Sequence, residues 1–334
     1  MQFSYLAPLI IFGLDLILVG IWRHLARNLQ IVDVPGGSLK LHQRVTPYLG
    51  GVAIFIGFWA GLWALDCIEW NIFLPGTALL LVVGLLDDLF ALTPWQKLIG
   101  QIVSAVLLVI AGAIINLSLP GSVSLLISFA WLVVLMNAFN LVDVMDGLAG
   151  TLALGPLVAF LCLSLYLQQT SVLIASLALI LALVAFLFYN FPPATIYLGD
   201  TGSMFIGAVL GVISLRIDWL AIGGRVLSDW EIAFILFILF TIPLTELSSL
   251  ILIRYLKKIP FYRGSRDHFS HYLQAQNWSV GQILGLVGLM EILLLILAGL
   301  FCGGTISLLV AGLKSLILLG LWLYVIFATK ILSK

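Results

Sequence analysis

Charged side chains are scarce in this chain. Asp, Glu, Lys and Arg make up 9% of its 334 residues, fifteen acids against fifteen bases. A water-soluble domain typically carries about 25%, so a soluble enzyme is excluded. A disordered chain is excluded as well, because 63% of the residues are hydrophobic and the mean hydropathy is +1.22. With zero net charge there is no bulk field to gather nucleic acid, and none is expected as a partner. The three cysteines, Cys67, Cys162 and Cys302, stand singly, without the spacing of a metal ribbon or a disulfide framework. They are read as small core residues. The first apolar stretch opens at Phe3 with no basic segment before it and no small-residue cleavage signal. It is expected to remain as a first helix rather than leave as a signal peptide.

Long apolar runs fill the space that charge leaves. Windows fall near 3–22, 50–68, 72–86, 97–115, 121–139, 148–166, 171–189, 201–217, 230–253, 279–301 and 305–329. About 20 apolar residues cross a bilayer. Unbroken Leu, Ile and Val runs lack the alternation of a barrel strand. The expected fold is therefore all-α: a polytopic helical bundle of about eleven transmembrane helices, forming one integral membrane domain over 1–334. Loops near 23–49, 87–97, 137–147, 190–200 and 254–278 are expected to carry the active site. The third window is short and is expected to begin a few residues earlier.

Basic residues set the expected sidedness. Arg23, Arg27, Lys40, Arg44, Lys97, Arg254, Lys257, Lys258, Arg263, Arg266, Lys330 and Lys334 all fall on one side of the alternation, twelve of the fifteen. The positive-inside rule makes that side cytoplasmic and places the N-terminus outside. Every polar cluster able to do chemistry lands on the same side.

Several of these clusters are acidic. GLLDDLFAL puts Asp87 and Asp88 at the end of the third window, and NAFNLVDVMDGLAG puts Asn137, Asn140, Asp143 and Asp146 at the end of the fifth. A helix C-terminus carries partial negative charge, so acids there need a compensating cation, either a basic side chain or a metal. Spacings of three residues keep the Asn/Asp series on roughly one side for as long as the helix persists. Asp200, between Gly199 and Gly202, sits where the eighth window begins. It suits a helix cap and equally a ligand contact at a positive helix N-terminus. Clustered Asp and Asn without Cys point to Mg²⁺, or Mn²⁺, rather than zinc. Lys97, Arg263, Arg266, His268 and His271 add groups for phosphate contact or proton handling. Together these are the parts of phosphoryl transfer at a membrane surface.

The blocks and their order resemble the polyprenyl-phosphate N-acetylhexosamine-1-phosphate transferases. Lys40-Leu-His42 with Thr46-Pro47 through Gly51 is similar to the family's first block, and Asp87-Asp88 with Lys97 to its paired-Asp motif. The series Asn137, Asn140, Asp143, Asp146 matches the Asn/Asp block, and Asn190 through Ser203 the Asn-x-x-Pro and Gly-Asp-x-Gly-Ser block. Arg266-Asp267-His268 with His271 resembles the basic loop of the sugar-transferring branch more than that of the peptidoglycan translocase. Two departures are Val144, where many members have Gly, and Glu246, where Asp commonly follows the proline.

The resemblance implies that undecaprenyl phosphate attacks a UDP-N-acetylhexosamine. A lipid-diphosphate sugar forms and UMP is released, initiating a cell-envelope polysaccharide at the bacterial inner membrane. It also implies roles. Asp87, Asp88 and Asp200 would hold Mg²⁺; Asp87 and Asp88 would also position or deprotonate the lipid phosphate. Asn140, Asp143, Asp146 and Asn190 would organise the nucleotide end, with Asn137 beside them in the substrate site. Lys40, Lys97, Arg266, His268 and His271 would neutralise phosphates, with His268 counted among the catalytic groups. A homodimer is compatible with all of this. A transporter or flippase could instead use the intramembrane Asp15, Glu246, Glu291 and Lys314, but these are scattered and no repeat accompanies them. Another prenyl or lipid phosphotransferase would lack the Gly-Asp-x-Gly-Ser block.

Overall fold

The computed structural model describes residues 6–33, 45–219, 221–222, 225–260 and 267–332. Each apolar window holds a helix. They are α1 Ala7–Asn28, α2 Gly50–Ala64, α3 Leu74–Phe90, α4 Pro94–Ile110, α5 Gly121–Val142, α6 Leu148–Tyr166, α7 Thr170–Asn190, α8 Gly199–Arg216, α9 Asp229–Leu239, α10 Thr241–Leu256, α12 Val280–Cys302 and α13 Leu308–Leu332. A short α11, Phe269–Ala275, lies between α10 and α12. Two small antiparallel pairs complete the described residues: β1 Val32–Asp33 with β2 Thr46–Pro47, and β3 Ala221–Ile222 with β4 Arg225–Val226. A 3-10 helix, Ile68–Phe73, leads directly into α3, so the third apolar segment begins earlier than its hydropathy window.

The protein is an all-helical, polytopic membrane protein. Among the described residues six helices are long and apolar enough to cross a bilayer, and seven if α9 and α10 form one broken span. The ninth window is not the single straight helix its hydropathy suggests. α9 and α10 meet at 83°. Pro243 stands four residues after Leu239; its ring displaces that carbonyl and it has no N–H to return the bond. Phe240 takes the non-helical conformation in between.

α8 is the axis of the bundle. Every residue from Thr201 to Leu215 is buried, with α2, α3 and α5 packed around it. Gly84 of α3 makes close packing possible: a Cβ there would meet Thr201 N at 2.6 Å. Contacts between connecting segments separate into two ends. Ser118 N–H donates to Asp229 (2.9 Å), and Asp218 N–H to Gln169 (3.1 Å). At the opposite end Arg23 reaches Thr195 (3.3 Å) and Ala194 N–H reaches Asp146 (2.8 Å). Of the cysteines, Cys67 and Cys302 are buried as expected, but Cys162 is exposed. It stands on a face of α6 that borders an apolar groove against α9 and α12.

Candidate active site

The paired acids close α3 in different ways. Asp87 ends its own helix, accepting Leu92 N–H at 2.8 Å. Asp88 points to α8, accepting from Asp200 N–H (2.8 Å), Thr201 N–H (3.2 Å) and the Thr201 hydroxyl (2.7 Å). Asp200 therefore lies in the first turn of α8 but is not its cap; Asp88 supplies that function from another helix. The arrangement answers the charge problem at the end of α3, since negative carboxylates face free N–H groups and the positive end of a dipole. Gly199 makes it possible with φ +72° and no Cβ; a side chain there would meet Asp88 Oδ2 at 2.6 Å.

Lys97 supplies the second compensation. Its ammonium lies 2.8 Å from Asp200 Oδ1 and 3.0 Å from Asp87 Oδ2, and it donates to Asn140 Oδ1 at 2.9 Å. The Asn140 amide also donates to Asp200 Oδ1 and to the Ser203 hydroxyl (3.0 Å). One cation thus joins α3, α4, α5 and α8. Its position follows from the Thr93 capping box, which starts α4 four residues before it.

The α5–α6 connection is tied to the turn after α7. Asn190, 5% exposed, accepts Gly147 N–H at 2.9 Å and donates to Ile196 O at 2.8 Å. Asp146 accepts Ala194 N–H. α5 ends at Val142, so Asp143 is its C-cap and Asp146 lies beyond the helix rather than along its face.

These elements enclose a cavity of about 420 Å³. Asp88, Asp143, Asp146, Asn190, Asp200 and His271 line it. Burial pushes the Asp143 carboxyl well above the usual carboxylate range, aided by the negative charges of Asp200, Asp88 and Asp146 and opposed by Lys97. Asp87, Lys97 and Asn140 stand directly behind Asp200. Asn137 is held against Gln101 at 2.9 Å, outside the lining. His268 is buried against Glu246 and likewise does not line the cavity. Lys40 and Arg266 lie outside the described residues.

Asp33 and Tyr48 also line the cavity, and the sequence blocks did not include them as site residues. Asp33 belongs to the same polar segment, but its partner Thr46 is brought beside it only by the β1–β2 pairing. Tyr48 hydrogen-bonds Asp33, and its phenol is raised by burial and by that carboxylate. Among the described residues the intramembrane acids each have a different neighbour. Asp15 abuts Gly57, Glu291 abuts Gly155, and Glu246 meets His268.

Oxygen is the dominant donor chemistry in this cavity. Among the described residues no three His, Cys, Asp or Glu side chains form a ready-made metal cage. The donors fit the way Mg²⁺ is usually held, by one or two carboxylates with substrate phosphates and water completing the shell. The excess of carboxylates around Asp143 is the electrostatic situation a divalent cation relieves.

Fold and site together define a class: a helical membrane protein with an acid-rich polar cavity at one end of its bundle. Residues 70–218 match glycosyl transferase family 4. A Bacillus subtilis protein named as a probable undecaprenyl-phosphate N-acetylglucosaminyl 1-phosphate transferase is 31% identical over 273 residues, covering 78% of this chain and 74% of that protein. A phospho-N-acetylmuramoyl-pentapeptide-transferase of Lacticaseibacillus paracasei is 30% identical over 302 residues, covering 78% and 87%. One from Lactobacillus johnsonii is 27% identical, covering 90% and 100%. The chain belongs to glycosyl transferase family 4, the superfamily of polyprenyl-phosphate N-acetylhexosamine-1-phosphate transferases.

Proposed function

We propose that the protein transfers a sugar 1-phosphate, N-acetylhexosamine 1-phosphate by preference, from a UDP-sugar to undecaprenyl phosphate. The products are a lipid-diphosphate sugar and UMP, and the reaction starts a cell-envelope polysaccharide. The observation that carries this reading is the junction of Asp200 with Lys97, Asp87 and Asn140 at the head of an acid-lined cavity. Relatives named for this transfer support it.

Asp200 is the principal Mg²⁺ ligand in this reading, with Asp143 and Asp88 oxygens nearby in the same cavity. When bound, the ion neutralises diphosphate charge and orients the phosphorus for in-line attack. Lys97 steers the Asp200 carboxylate and adds positive charge beside it. Asp88 fixes the first turn of α8, so that Asp200 keeps its place when substrates enter. Asn190 and Asp146 hold the two turns that shape the nucleotide end. His271 contributes a donor facing the phosphates. Lys40 and Arg266 complete the phosphate contacts. The lipid phosphate sits at the bilayer surface with its tail in hydrocarbon, which suits a cavity at the end of a membrane bundle. The basic end faces the cytoplasm, with eleven crossings and the N-terminus outside.

The test is direct. Membranes containing the protein are incubated with undecaprenyl phosphate, Mg²⁺ and a panel of UDP-sugars, and lipid products are identified by mass. Asp200→Asn should remain folded and lose Mg²⁺-dependent UMP release. Near-normal turnover in that variant would remove its metal role, and no lipid product from any UDP-sugar would overturn the reaction.

A further inference from the structure

We propose that Glu246 is a positioning residue for this cavity, a membrane-helix carboxylate that fixes α11 and thereby seats His271 in the cavity wall. Glu246 is 1% exposed and lies on α10, outside the cavity lining. Its Oε1 lies 3.1 Å from His268 Nδ1 and accepts the Phe269 N–H at 3.3 Å. His268 immediately precedes α11, and Phe269 opens it. A single carboxylate oxygen therefore holds both the entry residue and the first N–H of the short helix that carries His271 and Gln274, two lining residues.

The contact passes onward through packing. The His268 and His271 rings meet edge to face, with centroids 5.5 Å apart and planes at 79°. An imidazole held through Nδ1 by a carboxylate has its ring plane set, so the surface it presents to His271 is set as well. A second tie lies one residue before His268. Asp267 accepts from Lys257 at 2.5 Å and from the Tyr272 hydroxyl at 2.7 Å. α11 is thus fastened to α10 near the helix's start and again just past its end. Burying a carboxylate is costly unless it is well hydrogen-bonded; Glu246 is bonded to the two groups that locate α11, with the positive charge of the buried Arg254 also acting on it.

The kinetic arm rests on the transferase reading; a labelling arm does not. Glu246→Leu should lower kcat/KM by roughly 10–30-fold, whereas Glu246→Gln, which keeps an acceptor oxygen, should stay within about threefold of the parent. In a His271→Ala background, Glu246→Leu should cost less than about twofold more, because residues acting through one another are not additive. Fully additive losses would overturn the proposal. Independently, a His271→Cys probe in a Cys162→Ser background should react with a water-soluble maleimide at a rate changed at least about threefold by Glu246→Leu and unchanged by Glu246→Gln, as expected when one partner of a buried pair is lost. Equal rates in all three would also overturn it. If Glu246→Leu does not fold, His268→Phe removes the donor while keeping a ring and is carried through the same cycle and labelling. A parent protein that releases no UMP would refute the transferase reading, while the labelling still judges the Glu246 contact.

Discussion

Asp88 caps a helix that begins 111 residues later: its carboxylate takes the Asp200 and Thr201 N–H groups and the Thr201 hydroxyl. The residue that aims Asp200 is therefore its neighbour in space and not in sequence. Asp88→Ala should leave buried donors unpaired, costing about 1–3 kcal/mol of stability, and should also lower turnover because Asp200 loses its register. Thermal unfolding in detergent and UMP release measure the two effects. Asp200→Asn should separate them, losing turnover with little change in stability.

Lys97 is expected to be irreplaceable by another cation. It serves Asp87, Asp200 and Asn140 with one compact ammonium. Lys97→Met would leave two acids side by side without compensation, and Lys97→Arg would place a planar fork where a point charge fits. Both should reduce kcat/KM by about 100-fold or more, the scale of losing an electrostatic contact to the reacting groups. Methionine should also lower the unfolding temperature.

Asp143 predicts a dependence on pH. Its carboxyl is raised by burial and by Asp200, Asp88 and Asp146. A carboxyl with a folded-state pKa above its unfolded value of 3.8 stabilises the fold while protonated. That contribution is complete below the unfolded value and is lost as pH rises through the folded one. Without divalent cations, the unfolding temperature of the parent should thus fall more from acid to neutral pH than that of Asp143→Asn. A parallel pH profile for the two proteins would contradict this electrostatic account.

Sidedness has its own test. A cysteine replacing Lys258, which is exposed beyond α10, should react only with reagents supplied from the cytoplasm. One replacing Asp218, exposed after α8, should react only from outside. The reverse pattern would invert the bundle.

The helices were legible from composition because a bilayer demands runs of apolar residues, and each run became helical. Hydropathy averages across Pro243 and so presents α9–α10 as one segment, whereas the bend depends on a missing N–H rather than on polarity. Asn137 illustrates a second limit. Its three-residue spacing from Asn140 places it near the same helix face, yet it turns to Gln101 while Asn140 reaches Asp200. Neighbouring helices decided that difference. Asp33 carries no signal in the linear pattern, because its place in the cavity depends on an antiparallel partner thirteen residues away.

Order and residue type alone were enough for the membrane class and the family, and to single out candidate acids, since hydrophobicity and charge are properties of single residues. They could not tell which acid would face a helix terminus, which would share Lys97 and which would remain crowded in the cavity. Those assignments depend on distances of about 3 Å between segments as much as 113 residues apart, and only the packing of α3, α5 and α8 brings those segments together.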